Sequence, residues 1–326
     1  MADTKKVLIL GATGGIGGEV MRQLCERGWD VHALRRGEAN LAGKRDGVTW
    51  VIGDAMDGHT VMAAAQGCSV IVHAVNPPGY LRWAELVLPM LDNTIAAAKV
   101  LGATIVLPGT LYNFGPSAFP LVNEHSPQKP VSRKGAIRVE LEERLRTATT
   151  RGCRVIILRA GEFFGPKAVQ SWFAQALVKP GQPVNHISLP GAPGVGHQWA
   201  YLPDAARTMA MLLECRGKLL PFAVFHMNGH WDNDGNQMAE AICRVVNKSG
   251  GAQPKLRRFP WWFVRLASPF MATFREMLEL RYMWRVPAQM TNSRLLATLG
   301  HEPHTPLDQA VEATLVGMRC LPKRHT

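Results

Sequence analysis

The chain has 326 residues, 47% hydrophobic and 19% charged, with 37 Lys+Arg against 25 Asp+Glu and a formal net charge of +12. That apolar content supports a core and excludes global disorder, and the length suits one large α/β domain or a large domain with a smaller one. No stretch approaches 18 consecutive apolar residues, so neither a membrane span nor a membrane partner is expected, and the start MADTKKVLIL lacks the separate apolar core of a signal peptide.

The elements follow from the hydrophobic period. Residues 5–10 read as a strand that ends at Gly11, and Ile16, Val20 and Leu24 then recur with helical spacing. Residues 30–34, 48–52, 69–74 and 104–107 read as further strands, the last ended by Pro108-Gly109. Residues 84–101 form a long helix with Pro89 as a candidate kink, 134–149 a second, and 154–159 a sixth strand. After residue 160 the texture changes. Residues 180–198, rich in Gly and Pro, look like a loop-and-strand insertion; 204–217 return to helix, 222–227 to strand, 228–235 to a polar turn and 236–248 to helix. The aromatic stripe Trp261, Trp262, Phe263, Phe270, Phe274, Tyr282, Trp284 reads first as core packing, with a substrate or partner contact as the alternative.

Strands alternating with helices indicate an α/β fold, a Rossmann-type doubly wound parallel sheet with its ligand crevice at the carboxyl ends of the strands. The expected division is a dinucleotide-binding domain over 1–180, rejoined by 204–228, and a small C-terminal substrate-binding cap from 181–203 and 229–326.

Gly11-Ala12-Thr13-Gly14-Gly15-Ile16-Gly17 sits between the first strand and its helix. The first glycine permits the tight turn, the middle one lets backbone approach a pyrophosphate, and the third permits close helix–sheet packing. Gly11, Thr13, Gly14, Gly15, Ile16 and Gly17 are therefore cofactor-binding candidates. An acidic residue closing the second strand would hold a ribose 2′-hydroxyl and select NAD(H); here Arg35-Arg36 stand there, suited to a 2′-phosphate, so NADP(H) is expected and NAD(H) is the alternative. Asp54 and Ala55, past the third strand, are placed near the adenine. Asn76, Pro77 and Pro78, past the fourth, are placed near the inner ribose and diphosphate.

These features resemble the extended short-chain dehydrogenase/reductases, in particular the NAD(P)-dependent epimerase/dehydratase family. The likeness covers nearly the whole chain: GATGGIG at 11–17, Gly53-Asp54, Leu91-Asp92-Asn93-Thr94, Leu111-Tyr112, Leu158-Arg159 with Phe164-Gly165-Pro166, Trp199 to Asp204, and Leu299-Gly300 with Pro303-His304-Thr305-Pro306. The resemblance implies a Tyr and a Lys four residues apart on the helix after the fifth strand, with a Ser or Thr before them positioning the substrate oxygen. This chain departs from that pattern. Lys134 falls at the tyrosine position and Arg138 at the lysine position, and no tyrosine lies between Tyr112 and Tyr201. Arg138 can hold ribose and phosphate, but its guanidinium does not readily relay a proton. Lys134 is a proton donor if burial and neighbouring cations depress its pKa, or else both are ordinary basic helix residues. Thr110 is the candidate hydroxyl. Tyr112 either supplies the missing phenol or packs beneath the site.

Six cysteines without a CxxC pair read as reduced thiols of a cytoplasmic protein, and eleven histidines without an HExxH motif predict no metal. Residues 251–326 hold 11 Lys+Arg and 5 Asp+Glu, which is +6 of the +12, without an aromatic-interleaved basic strand. An anion-binding pocket is favoured over a nucleic-acid partner. The resulting expectation is an NADP-dependent oxidoreductase or epimerase-like enzyme for a small hydroxy or carbonyl substrate, anionic or sugar-derived. The alternative is a non-catalytic NADP(H)-binding sensor or scaffold. The resembled family implies a homodimer through helices 84–101 and 134–149.

Overall fold

The computed structural model describes residues 5–77 and 82–321; Pro78 lies outside them. The first half runs β1 (Lys6–Leu10), α1 (Gly15–Glu26), β2 (Asp30–Arg35), β3 (Gly43–Arg45), β4 (Val48–Ile52), α2 (Gly58–Ala64), β5 (Val70–His73), α3 (Trp83–Leu101), β6 (Thr104–Thr110), β7 (Leu121–Val122), α4 (Arg133–Thr149) and β8 (Arg154–Ala160). The second half runs β9 (Glu162–Phe164), β10 (His186–Leu189), β11 (His197–Tyr201), α5 (Leu202–Glu214), β12 (Phe222–His226), β13 (His230–Asp232), α6 (Gln237–Lys248), β14 (Lys255–Arg258), α7 (Trp261–Ala267), α8 (Ala272–Glu279), β15 (Gln289–Met290), α9 (Ser293–Leu299) and α10 (Leu307–Gly317).

Eight strands form one sheet in the order β12-β8-β6-β5-β1-β2-β4-β3, parallel except for β3. This is the doubly wound sheet that the alternation of elements implies. The central strands are continuous apolar runs because helices cover both faces. One face packs on α1 and α5 through Val20, Leu24, Met209 and Leu213, and the other on α2, α3 and α4 through Val61, Leu91, Leu141 and Leu145. The strand order reverses between β5 and β1, so the crevice opens above those two strands.

Two readings of the sequence change. The strand at 104–107 continues through Pro108 and Gly109 to Thr110, because its pairing with β8 runs on to Thr110 whereas its ladder with β5 ends at Val106. Pro108 therefore lies beyond the end of that ladder, where its missing N–H costs no hydrogen bond, while pairing with β8 continues to Ala160. Gly109 is needed because a Cβ there would stand 2.5 Å from Arg159 Cγ. The polar turn at 228–235 also contains β13, which pairs antiparallel with β11.

A third apolar cluster lies apart from the main sheet. Phe164, Trp172, Phe173, Trp199, Trp284 and residues of α6 and α10 form it. Of the aromatic stripe only Trp284 is fully buried; Trp262, Phe263 and Phe270 are exposed. All six cysteines are free thiols. Among the described residues no helix is long and apolar enough to cross a membrane.

Candidate functional site

A cleft of about 670 Å³ opens over the carboxyl ends of β1, β2, β4, β5 and β6. Gly11, Thr13, Gly14, Gly15 and Ile16 line it. Gly11 has φ +89°, a left-handed conformation that favours glycine, and a Cβ there would stand 2.5 Å from Ala74 O. Gly17 is not in the lining. It lets α1 lie against the turn, since a Cβ would run into Gly11 O and meet the Ala74 Cβ at 3.2 Å. Gly14 caps α1 without a side-chain hydrogen bond, and the first turn has no acidic residue. The first turn of α1 thus borders the cleft with no capping side chain and no acidic residue to neutralise its N–H groups, an arrangement suited to phosphate.

Arg35 and Arg36 end β2 at one end of the cleft. The Arg35 guanidinium lies 5.4 Å from the Trp50 ring centroid, and its buried Nε–H has no hydrogen-bond partner among the described residues. Arg36 is exposed. Asp54 accepts the Met56 N–H at 2.9 Å, which shapes the turn after β4, and Ala55, Asn76 and Pro77 complete this wall.

Arg138 projects from α4 into the cleft. Its Nη2 donates to Asn76 Oδ1 at 3.0 Å, and its guanidinium lies 5.1 Å from the Trp83 centroid. His73 stands nearby. Its Nδ1 is 2.8 Å from the Thr94 hydroxyl, which itself donates to Met90 O at 3.1 Å, so the imidazole donates from Nδ1. Burial, then the Arg138 charge, push His73 down to about 3, which keeps this ring neutral.

Thr110, Tyr112 and Arg138 converge on the cleft, whereas Lys134 does not line it. The Lys134 ammonium is buried and paired with Glu276 Oε2 at 2.8 Å, and its Nζ also approaches Glu276 O at 3.4 Å. Burial lowers its pKa, while Glu276 opposes that shift. The one-turn spacing along α4 aims Arg138 at the cleft and Lys134 at α8. The Thr110 hydroxyl accepts the Tyr112 N–H at 3.3 Å and donates to Asn113 Oδ1 at 3.2 Å, so it organises the turn that carries Tyr112.

The Tyr112 hydroxyl donates to Glu162 Oε1 at 3.0 Å, and both residues line the cleft. Burial pushes the Glu162 carboxyl up to about 7, against the opposing effects of the Tyr112 hydrogen bond and the Lys134 charge. Sequence reasoning missed Glu162. Its only signal was an acidic residue just past a predicted strand, two residues before Phe164-Gly165-Pro166. Lys167, beside the glycine turn, and Arg82 were also missed, as were His197, Gln198 and Met283 of the opposite wall. Beneath the site, Arg159 donates from Nε to Glu142 Oε1 at 3.1 Å, and Asn113 Nδ2 donates to the same oxygen at 2.8 Å. This buried pair joins α4 to β8.

Residues 11–161 match a family model described as NAD(P)H-binding. A curated relative, a 3-diazoavenalumate denitrifying reductase from Streptomyces sp, is 28% identical over 176 residues, which are 49% of this chain and 57% of that protein. The chain therefore spans little more than half the length of that relative. Among solved structures, the UDP-glucose 4-epimerase of Thermus thermophilus in complex with NAD is similar with a TM-score of 0.70 and 20% identity, covering 96% of this chain and 99% of that one. MoeE5 in complex with UDP-glucose and NAD is similar with a TM-score of 0.73 and 16% identity, covering 96% and 98%. Residues 11–161 are thus similar to NAD(P)H-binding domains, and the chain shares the fold of these solved proteins.

Proposed function

We propose that the protein is an NADP-dependent oxidoreductase or epimerase-like enzyme acting on a small carbonyl or hydroxy compound, anionic or sugar-derived. The single observation that carries the reading is the Tyr112–Glu162 hydrogen bond inside the cleft, with Glu162 held near neutrality by burial.

The residues present fit the dinucleotide. The uncapped first turn of α1 is suited to the diphosphate, and the unpartnered Nε–H of Arg35 together with Arg36 is suited to a 2′-phosphate. Asp54 and Ala55 would flank the adenine, while Asn76, Pro77 and Arg138 would hold the inner ribose and diphosphate. A nicotinamide dinucleotide held there would supply hydride chemistry at the substrate carbon.

The chain's own part is proton management. Tyr112 presents its hydroxyl to the substrate oxygen and donates its proton as negative charge develops there. Glu162, in its acid form, returns a proton to the phenol oxygen. In the oxidative direction the same two groups take up the hydroxyl proton. Thr110 holds the Tyr112 turn in place. Arg138 keeps a fixed positive charge near the reacting oxygen without itself releasing a proton.

Calorimetric titration with NADPH and NADH tests the cofactor assignment, and equal dissociation constants overturn it. Turnover across a panel of carbonyl compounds, compared between the native chain and Tyr112→Phe, tests the chemistry.

A second reading is favoured by one observation: the lysine at the expected tyrosine position is closed into an ion pair with Glu276. On that reading the chain is a non-catalytic NADP(H)-binding sensor or scaffold. NADPH binding without turnover on any panel member selects it.

A further inference from the structure

The aromatic segment 259–285 faces two ways. Trp261 is half-buried, donates its indole N–H to Pro190 O at 2.8 Å and packs against Trp172. Its neighbours are turned outward: Trp262 is 73% exposed and Phe270 88%, and Phe263, Leu266 and Met271 are exposed beside them. Trp262 and Leu266 are one helical turn apart and share a face of α7, while Val264 is the buried anchor of that helix. A run of exposed rings and aliphatic side chains of this size marks an interaction surface.

The flanking charge has one sign. Residues 255–285 contain Lys255, Arg257, Arg258, Arg265, Arg275, Arg281 and Arg285 against Glu276 and Glu279. Both acids are engaged with α4: Glu276 pairs with Lys134, and Glu279 accepts from the backbone N–H of Arg133. Among the described residues none of the seven cations forms an ion pair. The four residues of β14 are all exposed, so Lys255, Leu256, Arg257 and Arg258 adjoin solvent along their whole length.

We propose that α7, the following turn to Met271 and β14 form a peripheral docking surface for a bilayer that contains anionic lipid. Trp262, Phe263, Leu266 and Phe270 enter the interface, and Lys255, Arg257, Arg258 and Arg265 meet lipid phosphates. A bilayer surface supplies shallow apolar depth beside a plane of negative charge, and Trp and Phe with flanking Arg are the side chains suited to that boundary. A second copy of this chain fits poorly, since it would bring the same cations and its own net charge of +12 to the contact. The absence of a long apolar run, from which no membrane partner was expected, excludes only a span. A seven-residue helix lies on a bilayer rather than crossing it.

The test is co-sedimentation of the full chain, saturated with NADPH, with vesicles of phosphatidylcholine alone and of phosphatidylcholine mixed with phosphatidylglycerol. The expected result is binding to the mixed vesicles that added salt weakens. Trp262→Ser with Phe270→Ser lowers that affinity by more than about tenfold. Arg257→Glu with Arg258→Glu abolishes the preference for phosphatidylglycerol. All these residues are exposed, and unchanged NADPH affinity in both variants confirms the fold. The proposal is overturned by no binding to either vesicle, or by binding that both double variants leave unchanged. Sedimentation velocity showing self-association that the Trp262/Phe270 variant removes also overturns it, by assigning the surface to a second copy.

Discussion

Lys134 Nζ lies 2.8 Å from Glu276 Oε2 and joins the first turn of α4 to α8. Removing the cation leaves a largely buried carboxylate with only the exposed Arg133 guanidinium, at 3.5 Å, to offset it. Lys134→Met is expected to lower unfolding stability by about 3 kcal/mol in a denaturant titration, because breaking a buried pair costs more than replacing both members. Adding Glu276→Leu is expected to restore most of that loss. A Lys134→Met variant of native stability with turnover abolished would instead return the proton-donor role to Lys134.

On the proposed mechanism, Glu162 supplies the pH dependence. Its carboxyl is pushed up to about 7, so the acid form dominates below that value and is lost as pH rises through it. If Glu162 returns the proton during carbonyl reduction, kcat falls as pH rises through about 7. Glu162→Gln is expected to lower kcat by about a hundredfold and to flatten this limb of the profile. An unchanged inflection in the Gln variant would assign it to another group.

On the proposed function, Arg35 and Arg36 set the choice of cofactor. Each charge-assisted hydrogen bond to a phosphate is worth about 1.5–3 kcal/mol. Arg36→Ala is therefore expected to weaken NADPH binding by about tenfold or more and to leave NADH nearly unaffected, as read by fluorescence titration. Arg35→Ala also removes the stacking on Trp50, so it is expected to lower stability as well.

Gly17 tests the glycine turn as packing rather than as ligand contact. A Cβ there runs into Gly11 O, which is backbone and cannot step aside cheaply. Gly17→Val is expected to cost about 1–3 kcal/mol of stability and to weaken both dinucleotides equally, by displacing α1. Loss of NADPH binding alone would contradict this.

Much of the glycine-turn end of the cleft was legible because it is local in sequence. The turn from Gly11 to Gly17 is one contiguous strand–turn–helix, and Arg35, Asp54 and Asn76 each follow a strand whose apolar run announces its end. The end of the cleft that holds Tyr112 was less legible. Tyr112 and Glu162 are 50 residues apart, and their contact depends on the pairing of β6 with β8. Nothing in the helical period of α4 announced that Lys134 would find Glu276, 142 residues away. The segment 260–285 was ambiguous for a related reason: an aromatic residue has the same composition signal whether it faces a core or solvent.

By itself the sequence determined the doubly wound sheet, the glycine turn and the basic character of the end of β2, since these arise from hydrophobic period, glycine stereochemistry and charge at neighbouring positions. Only the tertiary structure decided which groups share the cleft. It turned Lys134 into a tether to α8, brought Tyr112 against Glu162, and left Trp262 and Phe270 facing outward. Burial and partner choice are properties of contacts between distant segments, and they set both the pKa of Glu162 and the fate of each exposed ring.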